Sequence, residues 1–129
     1  DTTRDAAAAS QLDVEGFRRR GVDIVSRRAG GRAAAAGWSV VDVDRSNPVL
    51  GNRHVLRDHR DANERARVIA AYKADLDADM ARNGPMARAV ADLAARVREG
   101  EKLALRCWCA PRPCHAEHIA HAIMAQACD

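Results

Sequence analysis

Hydrophobic residues recur along the chain in two periods, and the switches between them divide it into short strands and longer helices. Val22, Ile24 and Val25 make a compact β-branched run closed by Arg27-Arg28-Ala29-Gly30-Gly31, which predicts a strand followed by a loop. Trp38 to Val43 is a second run of strand type, and Lys102 to Cys107 a third. Between them Val68, Ile69, Tyr72, Leu76 and Met80 fall at helical spacing, with Asp61 or Asn63 as the cap. Asn83-Gly84-Pro85 stops that helix. Pro85 suits the first turn of the next, whose stripe is Met86, Val90, Leu93 and Val97 before Gly100. A last helix is predicted from Cys114 or His115 to Ala127, with Ile119 and Ile123 inward. Ala33 to Ala36 suggest one helical turn, Ser46 to Asn52 a turn-rich loop, and residues 53–60 irregular chain.

This order predicts an α/β fold: a small single-domain sandwich with a short, mostly parallel sheet flanked by helices. The domain spans residues 20–129, preceded by an N-terminal arm or helix over 1–19 that is rich in alanine and ends near Phe17. At 129 residues the chain supports one core and not two. Aromatics are only 3 %, so that core must be built from Ala, Val, Leu and Ile, and Trp108 is expected to cap it, with stacking on a base as the alternative.

The net charge of +3 is too small to imply a partner, because acidic and basic residues interleave through most of the chain. One run is denser: Arg18-Arg19-Arg20, then Arg27-Arg28 and Arg32. It reads as a solvated face or as a phosphate-contacting nucleic-acid patch. No stretch reaches the length of a membrane span, and no charged-then-apolar signal peptide is present. Four cysteines in that setting predict a reducing, cytoplasmic compartment, where thiols serve metals or chemistry.

The chemistry concentrates in Cys107-Trp108-Cys109-Ala110-Pro111-Arg112-Pro113-Cys114-His115. Cys107 and Cys109, two apart at a strand end, point to the same side, and two prolines stiffen the connection to Cys114. A parallel sheet binds ligands where its strands end and helices begin, and a helix N-terminus favours anions and thiolates. Three readings stand side by side. Cys107, Cys109, Cys114 and His115 (or His118) hold Zn²⁺. Alternatively Cys109 or Cys114 is a catalytic thiol assisted by His115. In the third, Cys107 is a buried small hydrophobe and the others are incidental. Cys128 lies outside the site in each. His54 and His59 are expected to be solvated loop residues, and Asp42 with Asp44 is a candidate carboxylate pair.

The same segment resembles the C-terminal signature of a bacterial and phage family known as domain of unknown function 4326. There a Cys-Trp-Cys-x-Pro-x-x-Cys-His run follows a strand and opens the last helix. Asp23-Ile24-Val25-Ser26-Arg27 is similar to the family's early strand, with Ser26 where a glycine is usual. Ser46 to Asn52 is similar to its Gly-Asn loop, although Arg53-His54 replace the usual Pro-Phe. The resemblance covers about residues 20 to 127. It implies a compact α/β fold and a shared site joining Arg27, Asn52 and the Cys/His cluster, with no reaction attached. The family's occurrence in phages and mobile elements suggests nucleotide or nucleic-acid chemistry. On this reading Arg27, Asn52, Trp108 and Arg112 bind the ligand, and Cys109, Cys114 and His115 supply the chemistry or hold a metal. The alternative is a non-catalytic, zinc-stabilised interaction module.

Overall fold

The computed structural model describes residues 12–109 and 112–128. Its elements are α1 (Val14–Arg19), β1 (Val22–Ser26), β2 (Ser39–Asp42), α2 (Ala62–Ala81), α3 (Pro85–Arg98), β3 (Leu103–Cys107) and α4 (Ala116–Ala127). The three strands form one sheet in the order β1-β3-β2, and both pairings are parallel. The sheet is therefore wholly parallel among the described residues. The second strand begins one residue later than expected and stops at Asp42. Ala33 to Ala36 make no helix; the chain is irregular there and turns at Ala36-Gly37. Four alanines are too few to nucleate a helix without a packed face, because the first turn orders several residues for one hydrogen bond. Of the N-terminal arm, Val14–Arg19 is helical with Phe17 buried, and residues 1–11 lie outside the described chain.

Strand alternation divides the sheet into two unlike faces. Val22, Ile24, Leu103, Leu105 and Cys107 enter the core and meet Ile119, Ala120 and Ile123 of α4. The opposite face carries Asp23, Asp42 and Arg106, each in an ion pair: Asp23 with Arg32, and Asp42 with Arg106 at 2.6 Å. Helix α4 packs on β1 and β3, α3 on α4, and α2 on α3.

Helix α2 begins where Asp61 accepts from Asn63 N and Glu64 N at 2.9 and 3.0 Å, the N-cap arrangement. Its buried stripe of Ile69, Tyr72 and Leu76 follows the predicted spacing. At its far end the chain reverses through Asn83, whose φ is 57°. Buried Asp79 accepts from Ala87 N at 2.8 Å and so closes the start of α3.

The loop after β2 is held by two devices. Gly51 sits so close to the backbone that a Cβ would lie 2.5 Å from Asp44 O and 2.7 Å from Asn47 O, which admits no other residue without loop rearrangement. The Tyr72 hydroxyl donates to Leu50 O at 2.8 Å inside the core and ties the loop to α2. Tyr72→Phe leaves that carbonyl buried without its donor and keeps the ring packing. We expect a loss of about 1 kcal/mol in urea denaturation, the net worth of one such bond; an unchanged midpoint would mean that the bond does not hold the loop.

Candidate functional site

Parallel pairing releases all three strands at one edge of the sheet, and the segments that follow them meet there. A cleft of about 490 Å³ opens at this edge, lined among others by Asp44, Asn52, His59, Arg65, Trp108 and Cys109. Cys107, Cys114 and His115 also line it. This is the size range of a small-molecule site.

The sulfurs and the imidazole do converge. Cys107 Sγ lies 3.0 Å from Cys114 Sγ, and both residues are buried. Cys109 is half-buried and adjoins both Cys107 and the Arg65 guanidinium. Contact with Cys109 lowers the Cys107 pKa, but hydrogen bonding to Cys114 and burial outweigh it and push the thiol up to about 12. Cys109 is also raised, by its bond to Cys107 and then by burial, with Arg65 pulling the other way. Both are therefore protonated thiols at neutral pH. Cys128 is exposed and is not among the cleft-lining residues.

His115 precedes α4 as its cap residue and makes no side-chain bond to the helix. Its Nε2 lies 2.6 Å from Val43 O. A carbonyl only accepts, so Nε2 carries the hydrogen and the neutral ring keeps Nδ1 as an acceptor. The ring meets Tyr72 edge-on at 4.7 Å between centroids. Burial is the main cause that lowers its pKa; the Val43 bond and Asp44 oppose that, and His118 adds to it. His118 and His121, a turn or two further along, are not part of the lining.

Trp108 departs from expectation. Rather than capping the core it is 55 % exposed, since alternation places it on the side opposite Cys107. It is nevertheless fixed: Nε1 donates to Asp44 Oδ2 at 3.0 Å, and the Arg27 guanidinium stands 5.7 Å from the ring centroid. Arg27 in turn pairs with Asp44 at 3.1 Å and Asp42 at 3.6 Å. The Asp42–Asp44 pair thus serves cations and the indole. Arg106 and its hydrogen bond lower Asp42 first of all; burial raises Asp44, but Ser46 and Arg27 bring it below its ordinary value.

The remaining expected residues fall into place with smaller roles. Asn52 is buried in the lining, donating to Val68 O at 3.3 Å and accepting from His54 N at 2.9 Å, so it braces the loop. His54 pairs with Asp75 at 2.7 Å rather than standing free. Arg112 donates to His59 O at 3.0 Å. Within the basic run, Arg18 pairs with Glu15 and Arg32 with Asp23, so much of that charge is internally compensated. Sequence reasoning missed Arg65: an arginine on a helix normally reads as solvated, but this one is 7 % exposed. Only the fold reveals it.

A family model described as Domain of unknown function (DUF4326) matches residues 26–125. The chain belongs to this family. The match runs from the end of β1 into the last turn of α4, so the DUF4326 region contains every residue that lines the cleft. No curated protein and no solved structure matches the chain. No helix of the described residues is long and apolar enough to cross a membrane.

The state of His115 has a measurable consequence. Its pKa in the folded protein lies below that of the unfolded chain, so beneath about pH 6.5 the unfolded state binds more protons. The stability that His115 contributes is fully present above that pH and is lost as the pH falls; His118, lowered mainly by burial, contributes in the same direction. His115→Gln, whose amide can still donate to Val43 O, should flatten the fall in urea-denaturation stability between pH 6.5 and 5. An unaltered slope would assign it to other groups.

Proposed function

We propose that this DUF4326 domain binds the base of a nucleotide or nucleic acid in the cleft at the carboxyl edge of its sheet. The observation that carries the reading is Trp108, an exposed indole clamped by Asp44 and Arg27 at the rim of the cleft. An exposed tryptophan held in one orientation is a stacking platform that loses little freedom when a flat ring settles on it. Asn52, His59 and Arg65 supply polar groups around it. Cys109, Cys114 and His115 line the same space; with Cys107 and Cys109 protonated, His115 Nδ1 is the group that would accept a proton from a bound ligand. The four free cysteines suit a reducing compartment such as the cytoplasm.

Trp108 fluorescence in a Trp38→Phe background tests this directly. Nucleoside monophosphates should quench it saturably. Trp108→Ala should weaken binding measured by calorimetry by about 5- to 100-fold, the worth of one stacked base, with Trp108→Phe recovering part of the loss. If all four common monophosphates and a short single strand leave the signal unmoved at millimolar concentration, the reading is wrong.

A second reading is favoured by the gathering of three sulfurs: Cys107, Cys109, Cys114 and His115 would hold Zn²⁺ and stabilise an interaction module. Among the described residues no group of three or more His, Cys, Asp or Glu is already arranged to hold a metal ion. The ligand set closes only if the Cys107 and Cys114 sulfurs part from 3.0 Å to roughly 3.8 Å, the span for tetrahedral Zn–S bonds of about 2.3 Å. His115 would have to ligate through Nδ1, because Nε2 is bound to Val43. Protein purified without tag or chelator would then contain one equivalent of zinc by mass spectrometry and melt earlier on chelation. A metal-free protein whose melting ignores chelator removes this reading.

A further inference from the structure

Beside the main cleft lies a second hollow of about 360 Å³, sharing His59, Arg65, Trp108 and Cys109 with it and adding Arg28 and Arg112. Three of its six lining residues are arginines and none is a carboxylate. We propose that this hollow is a phosphate subsite, and that the ligand of the cleft is a nucleoside phosphate with its phosphoryl group on the Arg28–Arg65–Arg112 side of Trp108. The identity of the ligand's base-bearing part rests on the reading above; the anion site stands on its own charge balance.

That balance is uneven, and the depth of Arg65 sets it apart from the arginines of the surface. Arg27, Arg32, Arg96 and Arg106 are half-exposed and each has a carboxylate partner. Arg65 is the most deeply buried arginine of the described chain, at 7 % exposure, yet no described carboxylate lies within ion-pair distance of it. Its guanidinium is held by neutral carbonyls instead, Nη1 donating to Pro113 O at 3.3 Å and Nη2 to His59 O at 2.8 Å. A guanidinium drawn largely out of water without a counter-ion is costly, and buried charges are as a rule paired.

Arg112 sharpens the point. Its Nη1 donates to the same carbonyl, His59 O, at 3.0 Å. One oxygen therefore gathers two like charges, which repel each other until an anion comes between them or beside them. Both forks are fixed in position by that carbonyl and keep further N–H groups to offer, the geometry that recognises phosphate by paired hydrogen bonds. Arg28, exposed on the loop after β1, also lines the hollow. Asp42 and Asp44, at the sheet edge, are already taken up by Arg27 and Arg106.

Calorimetry with adenosine, cytidine, guanosine and uridine, each against its 5′-monophosphate, tests the proposal on the full chain. The phosphate should tighten binding by about tenfold or more, the contribution of one or two charge-assisted hydrogen bonds. In Arg28→Gln/Arg112→Gln, both exposed positions that leave the buried Arg65 intact, that ratio should fall towards one. A short single-stranded oligonucleotide forms a second arm; if it binds more tightly than the monophosphate with a steeper salt dependence, the phosphate belongs to a nucleic-acid backbone. Equal affinity for nucleoside and monophosphate, or a ratio untouched by the double substitution, overturns the subsite. Pyrophosphate, followed through arginine side-chain resonances by NMR, separates the two ideas. If no base binds but pyrophosphate shifts the Arg65 and Arg112 signals, base binding fails and the anion site remains; if those signals stay still as well, both fall.

Discussion

Because β3 pairs in parallel with both of its neighbours, the chain leaves all three strands at the same edge, and everything of chemical interest follows from that crowding. The loop after β1 brings Arg27 and Arg28, the loop after β2 brings Asp44 and Asn52, and the exit of β3 brings Cys107, Trp108 and Cys109. An antiparallel sheet of the same strands would send one of these segments to the opposite end. The central position of β3 matters as much as its direction, since it hydrogen-bonds on both sides and holds its exit steadier than an edge strand can.

Alternation then sorts the exit segment by side. Odd positions of β3 face the helices, which puts Cys107 into the hydrocarbon next to Cys114 and raises its pKa through burial and thiol pairing. Even positions face the charged side, where Arg106 meets Asp42 and Trp108 meets Asp44 and Arg27. One short motif thereby contributes the protonated thiols of Cys107 and Cys109 and an exposed, immobilised indole to the same cleft. The sulfur cluster lies against the core, while the indole looks outward, so the proposed ligand would meet Trp108 and the arginines before the deeper thiols.

Charge is distributed on the same plan. Carboxylates at the end of β2 and beyond neutralise Arg27 and Arg106, and the helix-borne Arg65 and the loop-borne Arg112 are left to backbone carbonyls. Bonds to carbonyls satisfy donors without cancelling charge, so the positive potential survives at that rim. The modest net charge of the whole chain hides this local excess.

Much of this was legible before any coordinates. Period-two runs marked the strands, period-3.6 stripes marked α2, α3 and α4, and Asp61, Pro85 and Gly100 marked their ends, because these are local preferences of backbone and side chain. The cysteine motif likewise announced the family and the Cys/His cluster at the start of the last helix. Three things were not legible: that Trp108 is exposed rather than a core cap, that Ala33 to Ala36 form no helix, and that Arg65 is buried without a described carboxylate. Each depends on what lies across from the residue in space. Local sequence determines which elements form and where they stop; only the packed fold decides which neighbours a side chain meets, and burial, ionisation and binding are set by those neighbours.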